Sequence, residues 1–276
     1  MSPNAQLYAA RRVLQTPKAF SNWFDVLRDM ASEKVGRGPD TLTFRTRTGL
    51  RIDAPNQPGS RVPIYEIFAE DCYHFDWFLG ALAQRPIQVI DIGGQMGTFA
   101  CRLAQINPGA SIVSYEPSST SASFLRRNLD QNHFADRVSV VQKALAGTIG
   151  FAEFEDNGGG SGQNHLVMNG GGPETQSTTR VETTTFDAAI AALPASVDLV
   201  KMDCEGGEYD LVYASSPASW ESVQRLVIEN HRVPGQSWTE LRAWLEGVGL
   251  SVQHEIVGTE VGVAWMSRDP LPPLTP

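Results

Sequence analysis

Two acids stand at the ends of apolar runs in a way that suits a ribose-bearing ligand. Val89-Ile90-Asp91-Ile92 runs into Gly93-Gly94-Gln95-Met96-Gly97, and Ile112-Val113-Ser114-Tyr115 runs into Glu116-Pro117, 25 residues beyond Asp91. A strand, a glycine turn, a helix and a second strand closing in an acid place that acid where ribose hydroxyls need an acceptor. The order here is D-x-G-x-Q-x-G, not the G-x-G-x-x-G that lets a pyrophosphate approach backbone N–H groups. An acid at the strand end repels a pyrophosphate and suits the ammonium group of a methionine moiety. Asp91, Gly93, Gly97, Glu116 and Pro117 therefore read as a site for S-adenosylmethionine rather than for a dinucleotide. A plain turn that needs glycine for positive φ accounts for the glycines, but not for both acids.

A second constellation lies further along. One apolar run ends in Lys201-Met202-Asp203-Cys204-Glu205-Gly206-Gly207-Glu208, the next in Ile228-Glu229-Asn230-His231. Both ends belong at the carboxyl edge of a sheet, where doubly wound folds bind ligands. Asp203, Glu205 and His231 are the expected catalytic residues, with Asp203 also beside the cofactor. His231 is the expected general base, because a neutral imidazole takes a proton near pH 7; His165 is its rival. Asp203, Glu229 and Asn230 end adjacent strands and form a candidate set of oxygen ligands for a divalent metal. Glu208 reads as a first-turn acid facing a helix dipole, and Lys201 as a strand lysine paired with a neighbouring acid. The adenine is expected against Ala144 and Leu145.

The elements that must carry these residues alternate as strand and helix. Strands are predicted at 88–92, 111–116, 138–145, 197–203 and 225–229, and helices at 97–105, 121–132 and 238–246. A closing pair, 250–257 and 261–266, is joined by Gly258-Thr259. The pattern predicts an α/β fold: a doubly wound, Rossmann-like class I methyltransferase sheet with an antiparallel C-terminal strand and a helical N-terminal extension. Residues 1–80 form that extension or cap, with a hairpin over 41–53. Residues 81–268 form the S-adenosylmethionine-dependent domain, and 269–276 a tail. A Gly-rich insertion, 157–173, is flanked by alternating runs at 151–155 and 180–186. It is expected to be mobile without acceptor and to close as a lid on binding.

The chain has 276 residues, a formal charge of −9 and three scattered cysteines. The acidic balance argues against nucleic-acid partners and against anionic membranes. The cysteines form no zinc or disulfide pattern and fit a reducing cytosol. With no membrane-length apolar run and no signal-peptide core, a cytoplasmic protein is expected. Homo-oligomerisation stays open.

The run Val89-Ile90-Asp91-Ile92-Gly93 with Gly97, the segment Asp198-Leu-Val-Lys-Met-Asp-Cys-Glu-Gly-Gly-Glu208 and Leu226-Val-Ile-Glu-Asn-His231 together resemble the FkbM-type methyltransferases. The resemblance spans about residues 60–266, and Lys-x-Asp-x-Glu-Gly-x-Glu is its most specific part. Ile64-Tyr-Glu-Ile-Phe68 followed by Tyr73 resembles the family's lead-in, which puts Glu66 and Tyr73 beside the cofactor. Gln95 stands where the family usually has Asn, and Gly94 where Ala is common. The resemblance implies S-adenosylmethionine-dependent O-methylation of a small hydroxylated acceptor, a sugar or natural product. The layout of Asp203 with Glu229-Asn230 is similar to the metal ligands of catechol-type O-methyltransferases. The rival functions are an NAD(P)-dependent oxidoreductase and a non-catalytic S-adenosylmethionine-binding protein.

Overall fold

The computed structural model describes residues 3–33, 38–155, 165–166 and 178–275. In chain order the elements are α1 (Pro3–Ala19), α2 (Trp23–Glu33), β1 (Thr41–Arg45), β2 (Arg51–Pro55), α3 (Val62–Phe68), α4 (Phe75–Leu79), β3 (Ile87–Ile92), α5 (Thr98–Ile106), β4 (Ala110–Tyr115), α6 (Ser119–Gln131), β5 (Val138–Val141), β6 (Ala144–Leu145), β7 (Gly150–Glu155), β8 (His165–Leu166), β9 (Thr178–Thr184), α7 (Phe186–Ala191), β10 (Val197–Met202), α8 (Glu208–Ala214), α9 (Pro217–Glu221), β11 (Val223–His231), α10 (Trp238–Gly247), β12 (Ser251–Ile256) and β13 (Val261–Ser267).

Seven strands form the central sheet in the order β12-β13-β11-β10-β3-β4-β5. The run β11-β10-β3-β4-β5 is parallel, and β13 enters antiparallel between β11 and β12. Apolar residues on both faces of β3 and β10 explain why these strands are central: Val89 faces one core, Ile90 and Ile92 the other. The first core takes Phe99 and Leu103 of α5 and Leu125 of α6. The second takes Leu211 of α8, Trp220 of α9 and Leu241 of α10.

The N-terminal segment shares the first core. Phe20, Phe44, Ile52, Ile64 and Tyr65 pack with Val89, Leu199 and Trp265 as one buried cluster. Asn128, fully buried on α6, ties the β1–β2 hairpin to the glycine turn. Its side chain accepts from Asp53 N at 2.8 Å and donates to Asp53 O at 2.9 Å and Met96 O at 2.8 Å.

Three local readings change. The strand predicted over 138–145 splits: β5 stays in the main sheet, while β6 joins β9, β7 and β8 in a separate four-stranded sheet. The alternating runs flanking the insertion pair with each other as β7 and β9. The strand predicted to reach Glu229 continues to His231, because β13 pairs with it residue for residue, Asn230 opposite Gly262 and His231 opposite Val261. Apart from β8, the Gly-rich stretch 157–173 lies outside the described residues.

Candidate active site

Four strand ends converge at the carboxyl edge of the sheet, and one lysine joins two of them. Lys201, near the end of β10, is almost completely buried and donates from Nζ to Gly93 O at 2.7 Å and Ile92 O at 3.3 Å. The same Nζ lies 3.6 Å from Asp91 Oδ1 and 3.5 Å from Asp203 Oδ2. Burial lowers its pKa, but Asp203 and Asp91 more than reverse that, so it stays charged. Asp203 N closes the same junction by donating to Ile92 O at 3.1 Å. Gly93 has φ +77°, and a Cβ there would fall 1.8 Å from Asp203 O. Only glycine fits this crossing.

Beyond the turn, Glu116 is buried at the end of β4. Its Oε2 accepts from Gln95 N at 2.8 Å and its Oε1 from Ser118 N at 2.8 Å. Burial raises its pKa to about 7, although both backbone donors pull it down. Each oxygen keeps a lone pair for a further donor. Glu116, Pro117, Ala144, Leu145, Lys143, Phe154 and Ser121 line a first cleft. Gly93, Gln95, Asp203 and Glu205 line both this cleft and a second cavity of about 440 Å³. The second cavity is further lined by Glu66, Cys72, Tyr73, Thr98, Phe99, Lys201, Glu229 and His231.

The acids in this cavity are not equivalent. Glu229 Oε1 accepts from the Tyr73 hydroxyl at 2.7 Å. Burial and the charge of Asp203 push Glu229 up to about 8, against Tyr73 and Lys201. Burial and Asp203 likewise push Glu205 up to about 8, against His231. Glu205 adopts φ +51°, an uncommon conformation that presents its carboxylate 3.3 Å from His231 Nε2. His231 Nδ1 bonds Glu208, whose side chain is completely buried, and Tyr209 Oη donates to His231 O at 3.1 Å.

The structure thus gathers Glu66, Tyr73, Gly93, Glu116, Pro117, Ala144, Asp203, Glu205, Glu229 and His231 around two joined cavities. It moves others. Asp91 is completely buried, accepts from Ser114 Oγ at 2.7 Å and faces Lys201. It lines neither cavity, and the cation beside it is Lys201. Gly97 caps α5 with φ +84° beneath Leu125 and shapes the turn without lining a cavity. Asn230 leaves the proposed metal set. Strand alternation puts Glu229 and His231 on one face and Asn230 on the other, where its amide packs over Gly262. One donor atom each from Asp203, Glu205 and His231 instead lies within 4.8 Å of the others.

The neutral-imidazole role of His231 also changes. Burial lowers its pKa, but the hydrogen bond and charge of Glu208, with Asp203 and Glu205, outweigh this and raise it to about 9. At pH 7 the ring is therefore a cation. Glu208, read from sequence as a helix-dipole acid, holds that cation in place. No local signal distinguished the two roles, since both put an acid in the first turn of α8. The face that β7 turns to the first cleft was equally invisible, so Phe154 was missed. The side chain of His165 lies outside the described residues.

A seven-stranded sheet with this order, with a cleft at its carboxyl edge and an acidic cavity beside it, defines a class I methyltransferase-type fold. Residues 91–252 match the model of the methyltransferase FkbM domain, and the chain belongs to that family; it is a methyltransferase. It is 24% identical over 254 residues to the 31-O-demethyl-FK506 methyltransferase FkbM of Streptomyces tacrolimicus, covering 79% of this chain and 94% of that protein. It is 25% identical over 217 residues to methyltransferase sdnD of Sordaria araneosa, covering 69% and 82%. In fold it is similar to a SAM-dependent methyltransferase from Agrobacterium tumefaciens, with a TM-score of 0.50, 9% identity and coverage of 84% and 71%.

Removing the junction lysine tests how the site is held. Lys201→Met leaves the buried Asp91 and the half-buried Asp203 without their cation and should cost about 3–5 kcal/mol of stability in urea unfolding. Adding Asp91→Asn should restore part of it. An unchanged midpoint in Lys201→Met would show that the junction does not depend on this charge.

Proposed function

We propose that this protein transfers a methyl group from S-adenosylmethionine to a hydroxyl of a small molecule, a sugar or hydroxylated natural product. The observation that carries the reading is the joining of the two cavities through Gly93, Gln95, Asp203 and Glu205. A nucleoside in the first cleft then delivers its sulfonium to the acidic cavity. The hydroxyl acceptor is supported by the name of the Streptomyces relative, and the cofactor by the description of the Agrobacterium structure. The missing G-x-G-x-x-G and the acid behind the turn disfavour an oxidoreductase.

Methyl transfer from a sulfonium needs alignment and removal of one proton. Glu116 accepts the ribose hydroxyls, while Pro117, Ala144, Leu145 and Phe154 form the adenine's apolar surroundings. The acceptor enters between the cap residues Val62 and Ile67 and the hairpin residue Val261. Its proton passes to Glu205, whose raised pKa makes it a stronger base than an ordinary carboxylate. His231, held charged by Glu208, faces Glu205 and fixes it. Asp203 orients the acceptor oxygen. The acidic lining selects uncharged or cationic acceptors over phosphorylated ones.

Asp203, Glu205 and His231 also have the composition of a divalent-ion site, and an imidazole with its other nitrogen on a carboxylate suits metal ligation. A divalent ion held there would lower the pKa of a bound hydroxyl. An ion there would have to displace a proton from His231, whereas the metal-free route leaves the ring paired with Glu205 and Glu208.

Three measurements test this reading. Glu116→Ala should weaken S-adenosylhomocysteine binding by calorimetry, each lost charge-assisted bond being worth about 1.5–3 kcal/mol; equal affinity would remove Glu116 from the ribose. Glu205 has a raised pKa, so its basic form is lost as pH falls through about 8. The rate as kcat/KM should therefore rise with pH along a limb near that value. Glu205→Gln should abolish the limb and slow turnover by about 10²–10⁴; a limb intact in that variant would assign the base elsewhere. Finally, activity should survive exhaustive EDTA. Its loss, with recovery on magnesium or manganese, would transfer proton removal to a metal-bound hydroxyl.

A further inference from the structure

We propose that the acceptor is an alcohol on a largely apolar carbon skeleton, not a carbohydrate, and that an aliphatic strip on the C-terminal hairpin, Val261, Val263 and Ile256, selects it. The proposal rests on the methyltransferase reading above and narrows its acceptor to one class. Directly opposed residues of antiparallel neighbours share a face of the sheet. His231 of β11 opposes Val261 of β13, and Glu229 opposes Val263, which in turn opposes Ile256 of β12. The face that carries Glu229 and His231 therefore turns aliphatic one and two strands further out, about 5 and 10 Å away by sheet spacing.

The contacts around the strip agree with that direction. Alternation sends Glu255 to the other face, where it accepts from Arg242 Nη1 at 3.1 Å and from Trp238 Nε1 at 3.4 Å. Val261 lines the large cavity, and Val263 packs against the first core. Ile256 is 51% exposed and Val261 41%, so each keeps apolar surface open to a ligand. The tip of the hairpin is held in place. Arg232 N donates to Glu260 O at 2.8 Å, and a Cβ at Gly258 would fall 1.8 Å from Val261 O. On the cap side the same cavity is lined by Pro58, Val62 and Pro63.

The lining is thus divided. Asp203, Glu205 and Glu229 can accept from a reacting hydroxyl, whereas the side chains of Val62, Pro63, Val261 and Ile256 offer no hydrogen bond. A sugar carries hydroxyls around its whole ring. Those turned toward the aliphatic wall would lose water without gaining a partner. Hydrocarbon gains at the same wall in proportion to the area it covers. One hydroxyl among the carboxylates, with an apolar skeleton laid along the strip, satisfies both parts of the lining.

The test measures methyl transfer from S-adenosylmethionine by the full-length protein to cyclopentanol, cyclooctanol and methyl β-D-glucopyranoside. The wild type should favour cyclooctanol over the glucoside in kcat/KM by about tenfold or more, because the glucoside leaves hydroxyls unpaired. It should favour cyclooctanol over cyclopentanol by up to about fourfold for each methylene buried. Ile256→Ser and Val261→Thr should each raise KM for cyclooctanol about threefold or more and narrow its lead over cyclopentanol. Unchanged calorimetric affinity for S-adenosylhomocysteine shows that both variants are folded. A glucoside used as well as cyclooctanol, or better, overturns the apolar class and leaves the methyltransferase reading standing. Equal KM in the wild type and both variants removes the strip. Methylation of none of the three probes by a protein that binds S-adenosylhomocysteine also overturns the class. If the wild type binds no S-adenosylhomocysteine, the methyltransferase reading falls with it.

Discussion

A single buried ammonium group holds the active edge of this sheet together. Lys201 reaches from β10 to the carbonyls that end β3 and sits between Asp91 and Asp203. A charge taken out of water is tolerated only with close counter-charges and full hydrogen bonding. Lys201 has two counter-charges and donates to two carbonyls, and these contacts fix the distance between the glycine turn and Asp203. The crossing is so close that no side chain fits at Gly93. Everything that approaches the reacting centre, from Glu116 on one side to Glu205 on the other, is placed relative to that junction.

The same layering recurs at the neighbouring strand end. Each cation that faces the large cavity has a carboxylate behind it: Asp91 behind Lys201 and Glu208 behind His231. Asp91 and Glu208 are completely buried. They neutralise the wall from within and leave Glu66, Asp203, Glu205 and Glu229 to set the sign of the cavity. An acidic chamber of this kind suits a sulfonium cofactor. It also explains why several of its carboxyls stand near neutral pKa before a cation arrives.

The N-terminal segment is part of this arrangement. Tyr73, between α3 and α4, holds Glu229 with its hydroxyl, and its carbonyl accepts from Trp265 Nε1 at 3.0 Å. Residues some 200 apart in sequence are thereby locked around one carboxylate. Asn128 fixes the hairpin to the turn from the other side. The cap and the C-terminal hairpin meet across the cavity, with Val62 and Val261 both in its lining.

The sequence by itself determined the alternation of strand and helix, the doubly wound class of the sheet and the edge at which ligands bind. Period, glycine placement and strand-terminal acids are local signals, and they survive folding because each strand end keeps its direction. It also determined which acids are available, since Asp91, Glu116, Asp203 and Glu229 all stand at strand ends. Which of them face solvent, a cation or a ligand was decided only by tertiary structure. Asp91 was turned inward because Lys201 arrives from another strand 110 residues later. Asn230 was turned away because β13 extends β11 and fixes the alternation through His231. His231 became a cation because Glu208, Glu205 and Asp203 surround it. In each case a charge takes its state from groups that are near in space and distant or differently oriented in sequence, and no local pattern encodes that field.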